Sequence, residues 1–446
     1  MTTVPDPDTS PSAALFPRLQ GGPRRMPAQR VADHQKARLE GAMIAAVSRH
    51  GYAGTTVHEL VALAGVSKST FYDHFASKQE CFLATFDAVT LEATRRIGEA
   101  YRSSGDFRES MISSLAAFMD LVVDEPAAAS LAAAESLTLG SAGVAHRERA
   151  SEVFERLSRR SFGEAPGGRE VSDIVVRAVV NGVAGIVYRR MRTGRIEELP
   201  KLSELLVDWA IGYRAPDGPA LTQAMAASEV PPTIDPLASA DEAKAAWDEP
   251  PDSPLSRTTL SQRERILRAA AWVVVEQGYP GLSIPAISAA AGTSNQTFYE
   301  HFADKQEALL AAYEVIAAEA LSYALRAFEQ AGDGPEAIGT GVRALTEHIA
   351  CHRMFARLAF FELPAAGPAA LDRADFTMDS VTAFLEPPLA PSGIGGPVPK
   401  ATLEAIGTGI WAVIQREIAN DRGSSLPLLA PELTRIALAP LQNAPH

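Results

Sequence analysis

The segment Thr70 to Glu80 (TFYDHFASKQE) returns as Thr297 to Glu307 (TFYEHFADKQE), a shift of 227 positions. Self-similarity at a fixed offset constrains architecture more than any single motif, because each copy must be a unit that folds the same way. Aligned without gaps from Arg38 and from Arg265, roughly 21 of about 52 positions are identical, and most of the others exchange one apolar residue for another. The offset persists far downstream. Gly182 to Arg189 (GVAGIVYR) falls on Gly409 to Arg416 (GIWAVIQR), Leu199-Pro200 falls on Leu426-Pro427, and Glu135 and Gly140 fall on Glu362 and Gly367. Duplication of a whole unit explains this better than two short motifs acquired separately.

At 446 residues the chain exceeds what one hydrophobic core serves. Apolar residues make up 46% of it, yet no apolar run approaches the length of about 18 expected of a membrane helix. Met1 to Gln29 lacks the apolar stretch and cleavage site of a secretory signal, so a cytoplasmic protein with no membrane partner is expected. Cys81 and Cys351 do not occupy matching positions and form no CxxC or Cys/His cluster, so both read as buried apolar residues, with no metal site and no cofactor implied. The formal net charge of −13 argues at first against nucleic acid. Its distribution matters more: residues 215–256 carry seven more acidic than basic residues, whereas 36–85 is slightly positive and the leading arm adds Arg18, Arg24, Arg25 and Arg30. The matching stretch of the second copy is about neutral.

Periodicity predicts an all-α protein of two tandem units. Residues 1–30 read as a flexible arm, rich in Pro and without periodic apolar positions. From Val31 the pattern is helical, with Leu39, Ala42, Met43, Ala46 and Val47 on one face and a glycine stop at Gly51; Ile266, Ala269, Ala270, Val273, Val274 and Gly278 repeat it. Thr56 to Glu59 fits a capping box that opens a short helix ending near Ala64. Gly65 turns the chain, and Ser67 caps a further helix through Lys68, Ser69, Thr70, Phe71 and Tyr72, as Ser294 does for Asn295 to Tyr299. Helix then resumes at Lys78 and Lys305. Later helices are predicted over 108–124, 127–139, 147–161, 171–192 and 202–213. The expected domains are a helix-turn-helix domain at 31–78, a helical domain at 79–214, a Pro/Asp-rich linker at 215–257, a second helix-turn-helix domain at 258–305 and a second helical domain at 306–446. A flexible linker of this length would span roughly 35 to 40 Å.

In a helix-turn-helix, one short helix braces a second whose N-terminal side chains reach base edges. Val57, Leu60, Val61 and Ala64 give the first brace its apolar side, as Ile284, Ile287 and Ala291 do in the second copy, and Phe71 or Phe298 anchors the reading helix. Lys68, Ser69 and Thr70 are left outward in one copy, and Asn295, Gln296 and Thr297 in the other. Lys donates to guanine, Asn and Gln pair with adenine, and Thr offers a hydroxyl and a methyl group. The two copies should therefore read different bases. Thr56, Ser67, Tyr72, His74 and Lys78, with Ser294, Tyr299, His301 and Lys305, complete the expected DNA-facing set, the lysines as phosphate contacts. Core packing competes for the tyrosines, ordinary surface charge for the lysines and a structural role for the histidines.

Both segments, and most closely Gly65 to Glu80 (GVSKSTFYDHFASKQE), resemble the DNA-binding domain of the tetracycline-repressor (TetR/AcrR) family of bacterial transcriptional regulators. The resemblance implies a helical C-terminal domain after each head, which binds a small-molecule effector and supplies a dimer interface from its last two helices. Family members usually carry one such unit, so a fused pair implies a monomeric pseudo-dimer or a homodimer. The partner would be double-stranded DNA, with a pseudo-palindromic or asymmetric operator, and the role that of a ligand-responsive repressor. The second copy departs from the pattern by placing Pro285 and Ala286 where the first has His58 and Glu59. Phe118, Met119, Met354, Phe355, Phe360, Phe361 and Trp411 are candidates to line effector pockets, although aromatic and Met residues at helical spacing also read as core. No phosphate loop, metal-ligand pair or nucleophile motif points to an enzyme. The rival reading is a scaffold or anti-regulator in which only one head, or neither, binds DNA.

Overall fold

A computed structural model describes residues 28–102, 105–139, 141–232, 247, 251, 253, 260–332, 334–383 and 398–441, and among these there is no strand. The expected arm up to residue 27, with Arg18, Arg24 and Arg25, lies outside the described residues, as do Pro236, Pro250 and Pro254 of the expected linker. The chain divides into two compact units, one comprising residues up to 167 with 183–208, the other 168–182 with 209 onward.

In the first unit, α1 (Ala28–Gly54), α2 (Val57–Ala64) and α3 (Lys68–His74) form the head, and α4 (Lys78–Arg102) leads into α5 (Phe107–Asp124), α6 (Pro126–Ala133) and α7 (Ser141–Glu164). The apolar faces predicted for the head converge. Leu39, Met43, Ile44 and Val47 pack with Leu60, Ala64, Phe71, Phe75, Phe82 and Phe86, and Ala128 and Leu131 of α6 join the same cluster. The head therefore shares its core with its own body. Fully burying each of these larger side chains contributes about 1.5–3 kcal/mol, so the head is not a detachable module. Helices α8 (Asp173–Arg192) and α9 (Ser203–Gly212) are each divided between the two units. The helices expected over 127–139 and 202–213 are shorter, because Glu135–Leu139 and Ile196–Leu202, the latter around Pro200, are 3-10 turns.

The second unit repeats the head with α11 (Gln262–Gly281), α12 (Ile284–Ala291) and α13 (Asn295–His301), after α10 (Pro219–Glu229). Its body is built from α14 (Lys305–Ala331), α15 (Pro335–Cys351), α16 (Arg353–Arg357), a π turn (Leu358–Glu362), α17 (Pro368–Ala383), α18 (Lys400–Ala419) and α19 (Ala430–Leu438). Among the described residues, α14 alone is long and apolar enough to cross a membrane, but Leu309, Ala312, Tyr313, Ile316, Ala320 and Tyr323 are buried, as in a core helix. Cys81 is buried, which pushes its thiol up to about 12, whereas Cys351 is exposed, contrary to the buried reading of both cysteines. It closes α15, where the chain turns at His352.

The second unit also takes in a segment of the first repeat. A Cβ on Gly182 of α8 would stand 2.6 Å from the Ala405 carbonyl oxygen of α18, and a Cβ on Gly409 of α18 would stand 2.5 Å from that of Ala178. Gly182 and Gly409 are the same position of the two repeats, and so are Ala178 and Ala405. The crossing is thus reciprocal, as contacts across a twofold axis are. Thr408 Oγ1 adds a hydrogen bond to the Gly182 carbonyl at 3.4 Å. Beside it the Tyr213 hydroxyl donates to the Ile436 carbonyl at 2.8 Å and accepts from Trp209 Nε1 at 3.1 Å. Burial raises the Tyr213 phenol pKa and keeps it neutral.

The linker reading needs correction over Pro219–Glu229, which is helix α10. Gly339 of α15 lets it approach to backbone contact, since a Cβ there would overlap the Ala224 carbonyl. Asp217, just before α10, pairs with Arg435 at 2.8 Å and Arg169 at 2.7 Å, while Arg343 Nη1 donates to the Ser228 and Glu229 carbonyls at its other end. The first repeat has Ile112, Ala116 and Asp208 in place of Gly339, Arg343 and Arg435. Further along, Trp247 is buried, donates to Glu319 at 3.0 Å and lies under Arg268. Composition gave no warning of this docking because Pro, Asp and Ala suit a helix start as well as a loop.

Gly409→Val is expected to destabilise the protein by about 1–3 kcal/mol in denaturant unfolding, since the added side chain must push the crossing backbones apart. Gly163→Ala, where nothing lies within 4 Å, should leave stability unchanged or slightly raised.

Candidate nucleic-acid interface

Each reading helix is presented by the same local devices. Thr56 Oγ1 accepts from the Glu59 amide at 3.2 Å and starts α2, but the expected return bond from Glu59 gives way to a contact with His50 Nε2 at 3.3 Å. Gly65 ends α2 in the left-handed region at φ 60°, and Gly292 ends α12 at φ 60° as well. Only glycine adopts this conformation without a Cβ penalty. Ser67 and Ser294 then cap α3 and α13, each accepting at 3.0 Å from the amide three residues on. Phe71 and Phe298 are fully buried, so the rest of each short helix is turned outward. Arg38 crosses to the Gly65 carbonyl at 3.3 Å and steadies the turn. Only its identity with Arg265 at the start of the aligned segment could have marked it.

On the outward face Lys68 and Ser69 are exposed in the first head, and Asn295 and Gln296 in the second. Tyr72 is 50% exposed and Tyr299 61%, which removes the core reading of both. Each ring stands edge-on to its buried phenylalanine, at 5.3 Å in the first head and 5.7 Å in the second. Thr70 and Thr297 are half-buried, with their hydroxyls 2.9 and 3.0 Å from the capping serines. In the first head Ser69 shares that cap, its Oγ 2.8 Å from Ser67 Oγ.

The lysines at the next helix start are placed differently from expectation. Lys78 Nζ donates to the Tyr52 and Thr55 carbonyls, both at 2.8 Å, and lies 4.2 Å from the Tyr52 ring centroid. Burial lowers its pKa. Lys305 Nζ donates to the Leu282 carbonyl at 2.8 Å and lies over Tyr279. Both ammonium groups are braces that tie the second long helix to the end of the first, because carbonyls left open beyond a helix break attract the nearest cation. The histidines are also internal. His74 Nε2 is 3.3 Å from Gln35 Oε1, and His301 Nε2 is buried and unpaired among the described residues.

The model of the bacterial regulatory proteins of the tetR family matches the chain at 42–85 and again at 266–313. The chain thus carries two TetR-like segments in tandem, one in each head. The HTH-type transcriptional activator FasR of Mycolicibacterium smegmatis is 28% identical over 127 residues, which cover 27% of this chain and 58% of that protein, so the chain matches less than two thirds of this relative's length. Among solved structures, the fatty acid degradation regulator FadR from Bacillus halodurans is 14% identical, over 44% of this chain and 97% of its own, with a TM-score of 0.38. FadR from Bacillus subtilis in complex with stearoyl-CoA is 15% identical, over 39% of this chain and 96% of its own, with a TM-score of 0.36.

The two TetR-like heads differ in ways that their shared geometry makes legible. Pro285 sits in the first turn of α12, where its missing N–H would have no partner within the helix in any case, so the brace keeps the eight residues of α2. Ser283 caps it at 3.3 Å without help from an acidic residue. Inside the first head, Glu40 is buried where the second has Leu267, and burial pushes its carboxyl up to about 7, with Lys36 at 3.9 Å opposing the shift. The effector-pocket candidates are largely packed: Phe360 stacks on Trp411 at 3.9 Å, Phe118 meets Phe154 at 6.1 Å, and Met119, Met354 and Phe355 are buried. A groove of 390 Å³ in the first unit, lined by Ser77, Glu80, Leu83, Asp87 and His146 among others, contains none of them.

Because the folded-state pKa of Glu40 lies above its unfolded value, its ionisation costs stability progressively as pH rises from about 4.5 to about 7. Above that the cost is constant. Glu40→Gln should flatten this decline and leave the protein more stable by about 2 kcal/mol at pH 8 but little changed at pH 4.5. Denaturant titrations across this range check it.

Proposed function

We propose that the chain is a sequence-specific, DNA-binding transcriptional regulator whose two heads act together in one molecule as a pseudo-dimer. The observation that carries this reading is the pair of complete helix-turn-helix heads whose outward residues differ. Lys68, Ser69 and Thr70 read one half-site and Asn295, Gln296 and Thr297 the other, so the operator has unlike halves. Lys68 favours guanine, and Asn295 and Gln296 favour adenine. Tyr72 and Tyr299 pack on the backbone or a thymine methyl beside these contacts, with Thr56, Ser67 and Ser294 at the rim. The inward-turned Lys78 and Lys305 serve as braces instead of phosphate contacts. Support for the pseudo-dimer comes from the reciprocal glycine crossing, in which the two repeats use matching positions.

A small-molecule effector held by the helical bodies would act by changing how the heads are presented. Occupying a promoter makes such a protein a repressor, whereas the relative matched over 127 residues is named an activator; a reporter with the site placed upstream of, and then within, a promoter reads the sign. The reading in which one head is silent draws on the acidic net charge and on the loss of Lys68 from the second head.

Footprinting with selected DNA is the test. Thr70→Ala and Thr297→Ala should each weaken protection over a different half-site, by about 1–2 kcal/mol. A second-head variant that leaves affinity and footprint unchanged defeats the two-headed reading. Lys68→Ala should reduce the slope of log affinity against log salt by about one, whereas Lys78→Met should leave that slope unchanged and lower the melting temperature. Mass in solution should be that of one chain.

A further inference from the structure

Each head ends its first helix on the same corner, and in each a carboxylate from the body reaches it. Gly51 breaks α1 at φ 67° and ψ 171°, and Gly278 breaks α11 at φ 71° and ψ 166°. The amide after such a break has lost its helical acceptor, which leaves an N–H that must find another partner. In the first unit the Tyr52 amide donates to Glu135 Oε2 at 2.9 Å, across 83 residues of sequence. In the second, Glu362 Oε2 stands at the matching corner, 3.8 Å from where a Cβ on Gly278 would lie, and the Tyr279 backbone opposes the rise that burial imposes on this carboxyl, as an amide directed at it does. Glu135 and Glu362 are the same position of the two repeats. The lysine braces hold the other side of each corner, so the head is gripped between its own second long helix and a carboxylate of the body.

The bodies anchor these carboxylates differently. Two residues before Glu135, the Ala133 carbonyl accepts from Arg147 of α7 at 3.2 Å. At the matching place, the Phe360 carbonyl accepts from Gln415 of α18 at 2.8 Å, and the Phe360 ring stacks on Trp411 of the same helix. The first repeat has Ala133, Ala184 and Tyr188 where the second has Phe360, Trp411 and Gln415. Glu362 closes the π turn Leu358–Glu362, a rare helical form that recurs at functional places in helices. Trp411 lies two residues beyond Gly409 of the reciprocal crossing.

We propose that Glu135 and Glu362 are positioning residues that seat the reading heads on their bodies, and that in the second unit Phe360 and Trp411 tie this seat to the helix of the glycine crossing. The second head is then the one whose presentation answers to that crossing, while the first is held by its own α7. The proposal rests on the DNA-binding reading above.

The test uses the full-length chain and two readouts. Hydrogen exchange in a peptide spanning the Tyr279 amide reports the contact itself, and footprinting reports each half-site, assigned beforehand with Thr70→Ala and Thr297→Ala. Glu362→Ala should speed that exchange and weaken protection over the second head's half-site about tenfold, leaving the first head's intact. Glu362→Gln keeps an acceptor oxygen and should restore most of both, which a loss of folding would not do. Glu135→Ala should give the mirror result on the first half-site. Trp411→Leu should weaken the second half-site alone. Faster exchange with both half-sites unchanged overturns the positioning role while DNA binding stands. Equal loss at both half-sites overturns it too, as a global effect. A wild-type chain that protects no DNA, yet shows the exchange change, overturns the DNA reading and reduces the two carboxylates to structural bonds.

Discussion

Two helices can touch backbone to backbone only where neither carries a side chain at the crossing. Gly182 and Gly409 meet that condition at equivalent places, and each faces an alanine carbonyl of the other repeat. The consequence is topological. Because the start of α8 packs so closely on α18, the compact units of the molecule do not follow the repeat boundaries of the gene product, and residues 168–182 belong with the second body. Tyr213, Asp217 and α10 then continue the same attachment, with Arg435 and Arg343 holding the two ends of a helix that composition alone reads as a tether. A duplicated chain bonded to itself in this way has made parts of one copy's C-terminal helices, residues 168–182 and 209 onward, belong to the other copy's compact unit.

The heads follow a different rule. Their geometry depends on local events within about 25 residues, namely a glycine break, a capped brace, a left-handed glycine and a capped reading helix. Those events were legible in the sequence, because each uses a residue type with a specific backbone role, and the structure places α2, α3, α12 and α13 where the pattern predicts. The inward and outward faces of the reading helices were legible for the same reason. Phe71 and Phe298 are buried, and Lys68, Asn295, Gln296 and both tyrosines face out.

What was not legible involves partners far apart in the chain. The destination of Lys78 depends on two carbonyls exposed by the Gly51 break, and a lysine beside a helix start looks the same in sequence whether it faces solvent or folds back. The bond from Tyr52 to Glu135 spans 83 residues, and only the recurrence of Glu135 as Glu362 hinted at it. Residue pairs that close long loops carry no periodic signal, so neither spacing nor propensity finds them. The docking of α10 was missed for a related cause, since its fit rests on the absence of a side chain at Gly339 and on two arginines distant in sequence.

Comparing the copies position by position separates what a head requires from what each head has become. Capping serines, turning glycines, anchor phenylalanines, lysine braces and seat carboxylates are common to both, and all act on backbone geometry. The differences fall elsewhere: Lys68 against Asn295, Glu40 against Leu267, and Ala133 with Ala184 against Phe360 with Trp411. The first head keeps a cation at the reading face and a buried carboxyl whose ionisation costs stability as pH rises from about 4.5 to about 7. The second replaces the cation with amides, which add hydrogen-bond readout and no long-range attraction, and gains an aromatic stack onto the crossing helix. Under the DNA-binding reading this divides the work. Electrostatic attraction to phosphate falls mainly to the first head, whereas the second contributes sequence discrimination and the contact through which events in the body reach the DNA. A symmetric dimer cannot divide its labour in this way, because every substitution in it appears twice.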